Sequence, residues 1–137
     1  MADDYLQRLK AEPMPYAAHL GIELTEATPD VVKAEMMVTR ELCNRHDILH
    51  GGAVMSLADN LGGLATGLNL DEGFMTTTIE SKTNFLAAIP AGKMAFAECR
   101  PVHKGRTTMV WQTTITREDG RKAAVVTQTQ LVLAKRA

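Results

Sequence analysis

The sequence predicts an α+β fold in which a curved antiparallel sheet wraps around one long central helix. The chain has 137 residues, which fits a single domain spanning residues 1–137, and it contains no repeat or long linker. One strongly helical segment is followed by four strand-like segments, and two more strand-like segments precede it. A hydrophobic content of 45% is that of a folded domain and excludes intrinsic disorder.

The part of the chain before the central helix is predicted to hold short helices and two strands. Asp3 or Asp4 caps a first helix that runs to about Lys10, and Pro13 and Pro15 break it. The elements that follow are a helical turn over Tyr16–Leu20, strands over Ile22–Ala27 and Val31–Thr39, and an irregular polar segment over Arg40–Leu49.

The central helix is predicted over Gly51–Leu68. Apolar residues recur there at intervals of three and four, which places them on one stripe of a helix. They are Val54, Leu57, Leu61, Leu64 and Leu68. Because its other faces carry mainly small residues, we expect this helix to be buried nearly all round.

Four strands are predicted after the helix, and they form an antiparallel meander. The pair Asp119-Gly120 is a strong hairpin signal, and Lys104-Gly105 is a second one. The predicted strands are Phe74–Leu86, Lys93–His103, Thr107–Thr116 and Lys122–Ala134.

Alternation along these strands predicts which face meets the helix. In the first strand, Met75, Thr77 and Ile79 share a face, and we expect it to pack on the helix. In the last strand, one face carries apolar residues and the other carries Gln128 and Gln130. The apolar set is Ala123, Val125, Leu131 and Leu133.

Composition excludes several classes of function. Fifteen Lys and Arg against sixteen Asp and Glu give a net charge of −1, which argues against a nucleic-acid partner. Two cysteines are too few for a disulfide framework, and the four histidines lack metal-ligand spacing, so no metal site is expected. The N-terminus does not resemble a secretory signal, and the segment Ile48–Leu70 is too polar to cross a membrane. We therefore expect a cytoplasmic protein with no membrane partner.

Asp59 is the only formally charged residue between Ile48 and Leu70. No Lys, Arg or Glu lies within four residues of it, so no ion pair along the helix can neutralise it. A carboxylate on a helix buried on most faces costs several kcal/mol unless something compensates it. Asp59 either faces water or accepts hydrogen bonds from a neighbouring strand, or it is an acid placed for catalysis.

The start of the same helix is the second candidate feature. His50, Gly51 and Gly52 open it, where the first N–H groups have no partner inside the helix. Glycines let an anionic oxygen approach those N–H groups, as an oxyanion hole for acyl transfer requires. The alternative is that the glycines only permit a tight turn into the helix.

The spacing of these two features predicts a dimer. Gly51 and Asp59 are eight residues apart, or ~12 Å along a helix axis, which is too far for both to reach one reacting carbonyl. Two antiparallel copies across a two-fold axis bring the start of one helix against Asp59 of the other. We therefore expect two equivalent sites at a homodimer interface.

Three further features have a functional and an ordinary interpretation. The Asn44 amide either donates to a substrate carbonyl or braces its loop. Thr77 either orients a water beside Asp59 or is an ordinary strand residue, and the neighbouring Thr76 and Thr78 leave that assignment open. The turn formed by His103, Lys104, Gly105 and Arg106 is either a small phosphate site or a solvated loop.

The run from Asn44 to His50-Gly51-Gly52, continued to Ala58-Asp59, resembles the signature of the hotdog-fold acyl-CoA thioesterases of the PaaI-like, phenylacetate-pathway type. The order of helix and strands over almost the whole chain is also similar. The resemblance implies a hotdog fold and hydrolysis of acyl-CoA to a free acid and CoA, with no cofactor. It also implies a homodimer, paired into a dimer of dimers.

The resemblance further implies roles for individual residues. Gly51 would donate its N–H to the thioester oxygen, with Asn44 assisting and His50 shaping the site. Asp59 of the partner subunit would activate water or attack the carbonyl, beside Thr77 or Thr78. The residues expected to bind substrate are Gly52, Asn60, Thr78, His103, Lys104, Gly105 and Arg106.

Two other functions are compatible with the same residues. An acyl-thioester hydratase or dehydratase would use His50 and Asp59 as a proton-transfer pair. An acyl-CoA binding or sensing module would use the pocket without turnover. Release of a free thiol separates hydrolysis from both.

Overall fold

The computed structural model describes residues 2–12 and 14–136, and it has the predicted fold: an antiparallel sheet of six strands curved around a long helix. The elements are α1 (Ala2–Ala11), α2 (Pro15–Leu20), β1 (Ile22–Thr28), β2 (Val31–Met37), a 3₁₀ turn (Arg40–Leu42), α3 (Gly51–Gly67), β3 (Phe74–Phe85), β4 (Met94–Lys104), β5 (Thr108–Thr116) and β6 (Lys122–Ala134). Predicted and observed boundaries differ by two residues at most, and Pro13 lies outside the described residues. None of the described helices combines the length and the apolar character needed to cross a membrane.

The strand order is β1-β2-β4-β5-β6-β3, and every neighbouring pair is antiparallel. The predicted meander of four strands is wrong for β3: only β4, β5 and β6 form a meander, and β3 pairs with β6 at the sheet edge of the described chain. In that pairing Thr78 lies opposite Gln130, and a β-bulge follows between Thr78 and Glu80. The edge position leaves one side of β3 without a hydrogen-bonded neighbour in this chain.

The hydrophobic core lies between the sheet and α3. Leu57 and Leu61 of the helix are fully buried and belong to one core cluster with Trp111 of β5. Small residues alternate along β4, and the buried residues of that strand, Ala95, Ala97 and Cys99, leave space for the helix. The indole N–H of Trp111 donates to the hydroxyl of Thr66, 2.8 Å away, so this buried donor is satisfied.

The prediction that α3 is buried nearly all round is wrong for the described chain. Val54, Leu57 and Leu61 of the predicted stripe are buried, but Leu64 and Leu68 are only half-buried. The sheet covers one side of the helix, and the opposite side, which includes Asp59, is open. Most small residues of the helix, among them Ala53, Ala58 and Ala65, are buried, whereas the exposed residues of the helix are Gly52, Asp59 and Gly67.

The prediction of which side of β3 faces the helix is also wrong. Met75 and Ile79 are 47% and 56% exposed. Thr76 and Thr78 lie on the opposite side of the strand, are half-buried, and bond to Gln130 of β6 and to Asp59 of α3, respectively. Thr78 donates a hydrogen bond to the carboxylate of Asp59, and Thr76 bonds to Gln130 of β6, so this side of the strand is polar and the apolar residues point away. The same reversal holds in β6, where Gln128 and Gln130 are buried towards the helix.

Candidate active site

The loop that leads into α3 is fixed by hydrogen bonds from Asn44. Its Oδ1 accepts from the N–H of His46 at 2.9 Å and from the N–H of Ile48 at 3.4 Å. This oxygen of Asn44 therefore braces the loop. Within the described residues the Nδ2 group of Asn44 has no acceptor, so it remains able to donate to a ligand.

The imidazole of His50 caps the first turn of α3. Its Nδ1 accepts from the N–H of Gly52 at 2.8 Å. The N–H of Gly52, which has no partner inside the helix, is therefore occupied by this side chain. The N–H of Gly51 has no acceptor among the described residues, so the oxyanion-binding role predicted for the helix start falls to Gly51.

Gly51 lines a cavity of about 320 Å³ whose walls are apolar. They include Ile48, Val54, Phe85 and Ile89. A Cβ at Gly51 would lie 3.2 Å from the ring of Phe85, so the missing side chain leaves the approach to this N–H less crowded. A carbonyl oxygen that enters this cavity meets a hydrogen-bond donor in apolar surroundings, where such bonds are strongest.

The carboxylate of Asp59 is exposed on the open side of α3, and one of its oxygens is held from the sheet. Oδ1 accepts from the hydroxyl of Thr78 at 2.7 Å and from the amide of Gln128 at 3.3 Å. No described residue donates to Oδ2. Asp59 therefore both faces water and accepts hydrogen bonds from neighbouring strands. The arrangement also leaves one carboxylate oxygen free to accept a proton from water.

The structure resolves which threonine lies beside Asp59. Thr77 is exposed on the side of β3 that points away from the helix, so it is not placed to orient a water next to the carboxylate. Thr78, one residue later, points to the helix and donates to Asp59. Because three threonines stand in a row, alternation alone did not distinguish these two positions.

Gln128 and Gln130 are site residues that the sequence analysis missed. Each is only 1% exposed. The amide of Gln130 donates to the hydroxyl of Thr78 at 2.6 Å, and the amide of Gln128 lies against Gly62, where a Cβ would be 2.2 Å away. Two glutamines spaced two apart in an otherwise apolar strand share a face, and buried amides require partners, so the pattern itself was informative.

A second cavity, of about 500 Å³, lies along the open side of α3. It is lined by Asp59 and Asn60 and by residues of α1 such as Leu9. Asn60 is held by its Nδ2 group, which donates to the carbonyl of Ser56 at 2.8 Å. Among the described residues, none lines both this cavity and the one at Gly51, so the carboxylate and the free N–H of one chain lie in separate places.

The basic turn is placed at the β4–β5 hairpin, where the Gly105 N–H donates to the Thr108 carbonyl at 2.8 Å. Lys104 forms an ion pair with Asp30, so its charge is already matched. Arg106 is exposed and has no acidic partner within the described residues. His103 is exposed on the same turn.

The two cysteines are not placed for nucleophilic catalysis. Burial raises the pKa of the Cys99 thiol to about 11, so it stays protonated at neutral pH. Burial, followed by the charge of Asp47, also raises the pKa of the Cys43 thiol, which donates to the carbonyl of Thr39. Neither thiol is therefore activated as a nucleophile.

The sequence of this chain matches a known protein family and known relatives. The family model of the thioesterase superfamily matches residues 46–124, which contain His50, Gly51 and Asp59. The chain is 35% identical over 105 residues to the proofreading thioesterase EntH of Klebsiella pneumoniae, covering 77% of this chain and 76% of that protein.

Two solved structures have the same fold. A thioesterase of Haemophilus influenzae superposes with a TM-score of 0.84 at 30% identity, covering 91% of this chain and 87% of that one. A Streptococcus mutans protein solved bound to acetyl CoA superposes with a TM-score of 0.77 at 28% identity, covering 85% and 91% of the two chains.

Proposed function

This chain belongs to the thioesterase superfamily, and we propose that it hydrolyses acyl-CoA thioesters to a free carboxylic acid and coenzyme A. Names of relatives support thioester hydrolysis as the general activity. The finer assignment to acyl-CoA is supported by the S. mutans structure, which contains acetyl CoA.

The observation that carries the proposal is the environment of Asp59. Its carboxylate is exposed, its Oδ1 is held by Thr78 and Gln128, and its Oδ2 is free within the described residues. Such an oxygen has a fixed direction and can accept a proton from a water that attacks the thioester carbon. The same oxygen also has the geometry to attack the carbonyl itself and form an anhydride that water then hydrolyses.

The second requirement is a donor for the negative charge that develops on the carbonyl oxygen. The N–H of Gly51 at the start of α3 supplies it, with the helix dipole in the favourable direction. When the tetrahedral intermediate collapses, the carbon–sulfur bond breaks and the thiolate of CoA leaves. The Nδ2 group of Asn44 is free to donate to the same carbonyl.

The reaction requires Gly51 and Asp59 from different chains in this proposal. Within one chain they line separate cavities and lie ~12 Å apart along α3. The free edge of β3 and the exposed side chains of Met75 and Ile79 support a dimer across this edge. Antiparallel α3 helices would then bring each Asp59 against the other chain's Gly51.

The nucleotide end of CoA is assigned to the β4–β5 turn in the same proposal. Arg106 is the exposed cation there, and a guanidinium binds phosphate oxygens in bidentate fashion. Lys104 contributes less because its ammonium group is paired with Asp30.

Thiol release from a panel of acyl-CoAs tests the proposal. The wild-type protein is expected to release CoA, and Asp59→Asn is expected to lower kcat by at least about 100-fold with the fold intact. Asp71→Asn, which changes an exposed acid in the loop after α3, is the matched control and should keep wild-type activity. Binding of acyl-CoA without thiol release, or near-normal turnover by Asp59→Asn, would contradict the proposal.

A further inference from the structure

Four polar side chains form a directed chain of hydrogen bonds that ends on Asp59. Thr76 donates to the Oε1 of Gln130 at 2.9 Å, and the carbonyl of Leu131, 3.0 Å away, is a second acceptor for the same hydroxyl proton. Gln130 donates through Nε2 to the hydroxyl of Thr78 at 2.6 Å. Thr78 in turn donates to the Oδ1 of Asp59 at 2.7 Å. The chain of hydrogen bonds starts on β3, passes to β6 and back to β3, and ends on α3, so it links the sheet to the carboxylate.

Elementary chemistry fixes the direction of this chain. An ionised carboxylate only accepts hydrogen bonds, so Thr78 must use its single proton on Asp59. The Gln130 group that faces Thr78 must then be the NH₂ donor, and its carbonyl must face Thr76. With the opposite orientation of the amide, the hydroxyl of Thr78 would have an alternative acceptor and could turn away from Asp59.

The burial of Gln130 gives this orientation its rigidity. Its side chain is 1% exposed, so water does not compete for its amide. A buried glutamine costs stability unless its donors and acceptors are satisfied, and an apolar residue at this core position would not carry that cost. The polar residue is therefore better explained by the bonds that it makes than by packing.

We propose that Gln130 is a positioning residue of the active site, which acts through Thr78 to fix the direction in which Asp59 Oδ2 accepts the proton. This proposal rests on the function proposed above. Gln130 is separated from Asp59 by Thr78, so its replacement is expected to change kcat and leave KM unchanged.

Gln130→Glu tests the proposal because the new carboxyl is isosteric with the amide. When protonated it donates to Thr78 and accepts from Thr76, as the glutamine does; when ionised it only accepts, and the Thr78 hydroxyl turns towards it. At low pH the variant should approach the wild-type kcat. As pH rises and the carboxyl ionises, kcat should fall at least about tenfold relative to wild type, with KM unchanged.

Gln112→Glu, on the exposed side of β5, is the matched control and should follow the wild-type pH profile. Should the buried charge of Gln130→Glu unfold the chain, Thr76→Val tests the same chain of bonds from its outer end. Thr76→Val removes the donor to Gln130 Oε1, so the Gln130 amide is free to reorient. A several-fold loss of kcat at unchanged KM is expected.

The outcomes separate this inference from the proposed function. An active wild-type protein whose Gln130→Glu and Thr76→Val variants keep its kcat and its pH profile overturns the positioning role and leaves thioester hydrolysis standing. A wild-type protein that releases no thiol from any acyl-CoA overturns both.

Discussion

The N–H of Gly51 is the group on which the proposed stabilisation of the oxyanion depends. It is the first N–H of α3, and the neighbouring N–H of Gly52 is already bonded to His50. Removing this single donor without disturbing the helix is possible because proline is favoured at the first helical position. His50 has φ −62° and ψ 139°, which is the backbone conformation that a following proline requires.

Gly51→Pro is therefore expected to fold, to keep its substrate affinity and to lose about 100- to 1,000-fold in kcat, as removal of an oxyanion donor does elsewhere. Gly51→Ala is the matched control, because it keeps the N–H while adding the same Cβ near the ring of Phe85. Steady-state kinetics on one acyl-CoA compares them. Equal losses in the two variants would mean that crowding, and not the missing donor, is responsible.

Cys99 provides a pH-dependent prediction at the residue scale. Burial raises its pKa from 9.0 to about 11, so the folded state favours the protonated thiol. This contribution to stability is fully present below about pH 9 and is lost as pH rises through about 11. The free energy of unfolding, measured in urea, should fall over this range more for wild type than for Cys99→Ala. Parallel curves for the two proteins would contradict this account of the thiol.

At the scale of elements, α3 and the hairpin-rich second half of the chain were predictable from the sequence. The periodicity of Val54, Leu57 and Leu61 and the Asp119-Gly120 turn are local signals, and each appeared where predicted. The face of β3 was not predictable in this way. Met75 and Ile79 look like core residues by alternation, but the strand lies at a sheet edge and turns its threonines to Asp59.

The candidate site residues likewise divide into those with a local sequence signal and those that depend on contacts between distant segments. Asp59, Gly51 and His50 could be proposed as candidates from the sequence because each stands out within its own segment. Gln128 and Gln130 act on Asp59 from a strand about 70 residues further along the chain, and that pairing depends on sheet register. The bulge after Thr78 adds to the difficulty, since it shifts the register between β3 and β6.

The contact between α3 and β6 gives a prediction at this scale. A Cβ at Gly62 would lie 2.2 Å from the amide of Gln128, which is buried and has little room to move. Gly62→Ala is expected to lower the free energy of unfolding by about 1–3 kcal/mol and to reduce kcat, because Gln128 is pushed away from Asp59. Urea unfolding and kinetics of the same preparation measure both effects.

Gly67→Ala, at the last residue of α3, is the matched control for that substitution. Nothing lies within 4 Å of its added Cβ, so it should leave stability unchanged or raise it by up to about 1 kcal/mol. A Gly62→Ala protein as stable as Gly67→Ala, with unchanged kcat, would show that the close approach of Gln128 to the helix is unimportant.

At the scale of the whole molecule, a single chain carries two incomplete halves of a site. The free N–H lies at one end of α3 and the carboxylate lies near its middle, in separate cavities. The unpaired edge of β3 and its exposed apolar residues offer a surface for a second copy. These features together are the basis of the proposed dimer.

Mixing two inactive variants tests this central claim most directly. In a heterodimer of Asp59→Asn and Gly51→Pro chains, one site combines an intact Asp59 with an intact Gly51 from the other chain, and the other site carries both changes. With random pairing, half of the dimers are heterodimers with one working site each, so thiol release should recover to about a quarter of the wild-type rate per chain. A mixture that forms heterodimers by native mass spectrometry, yet stays as inactive as its two components, would contradict a site shared between chains.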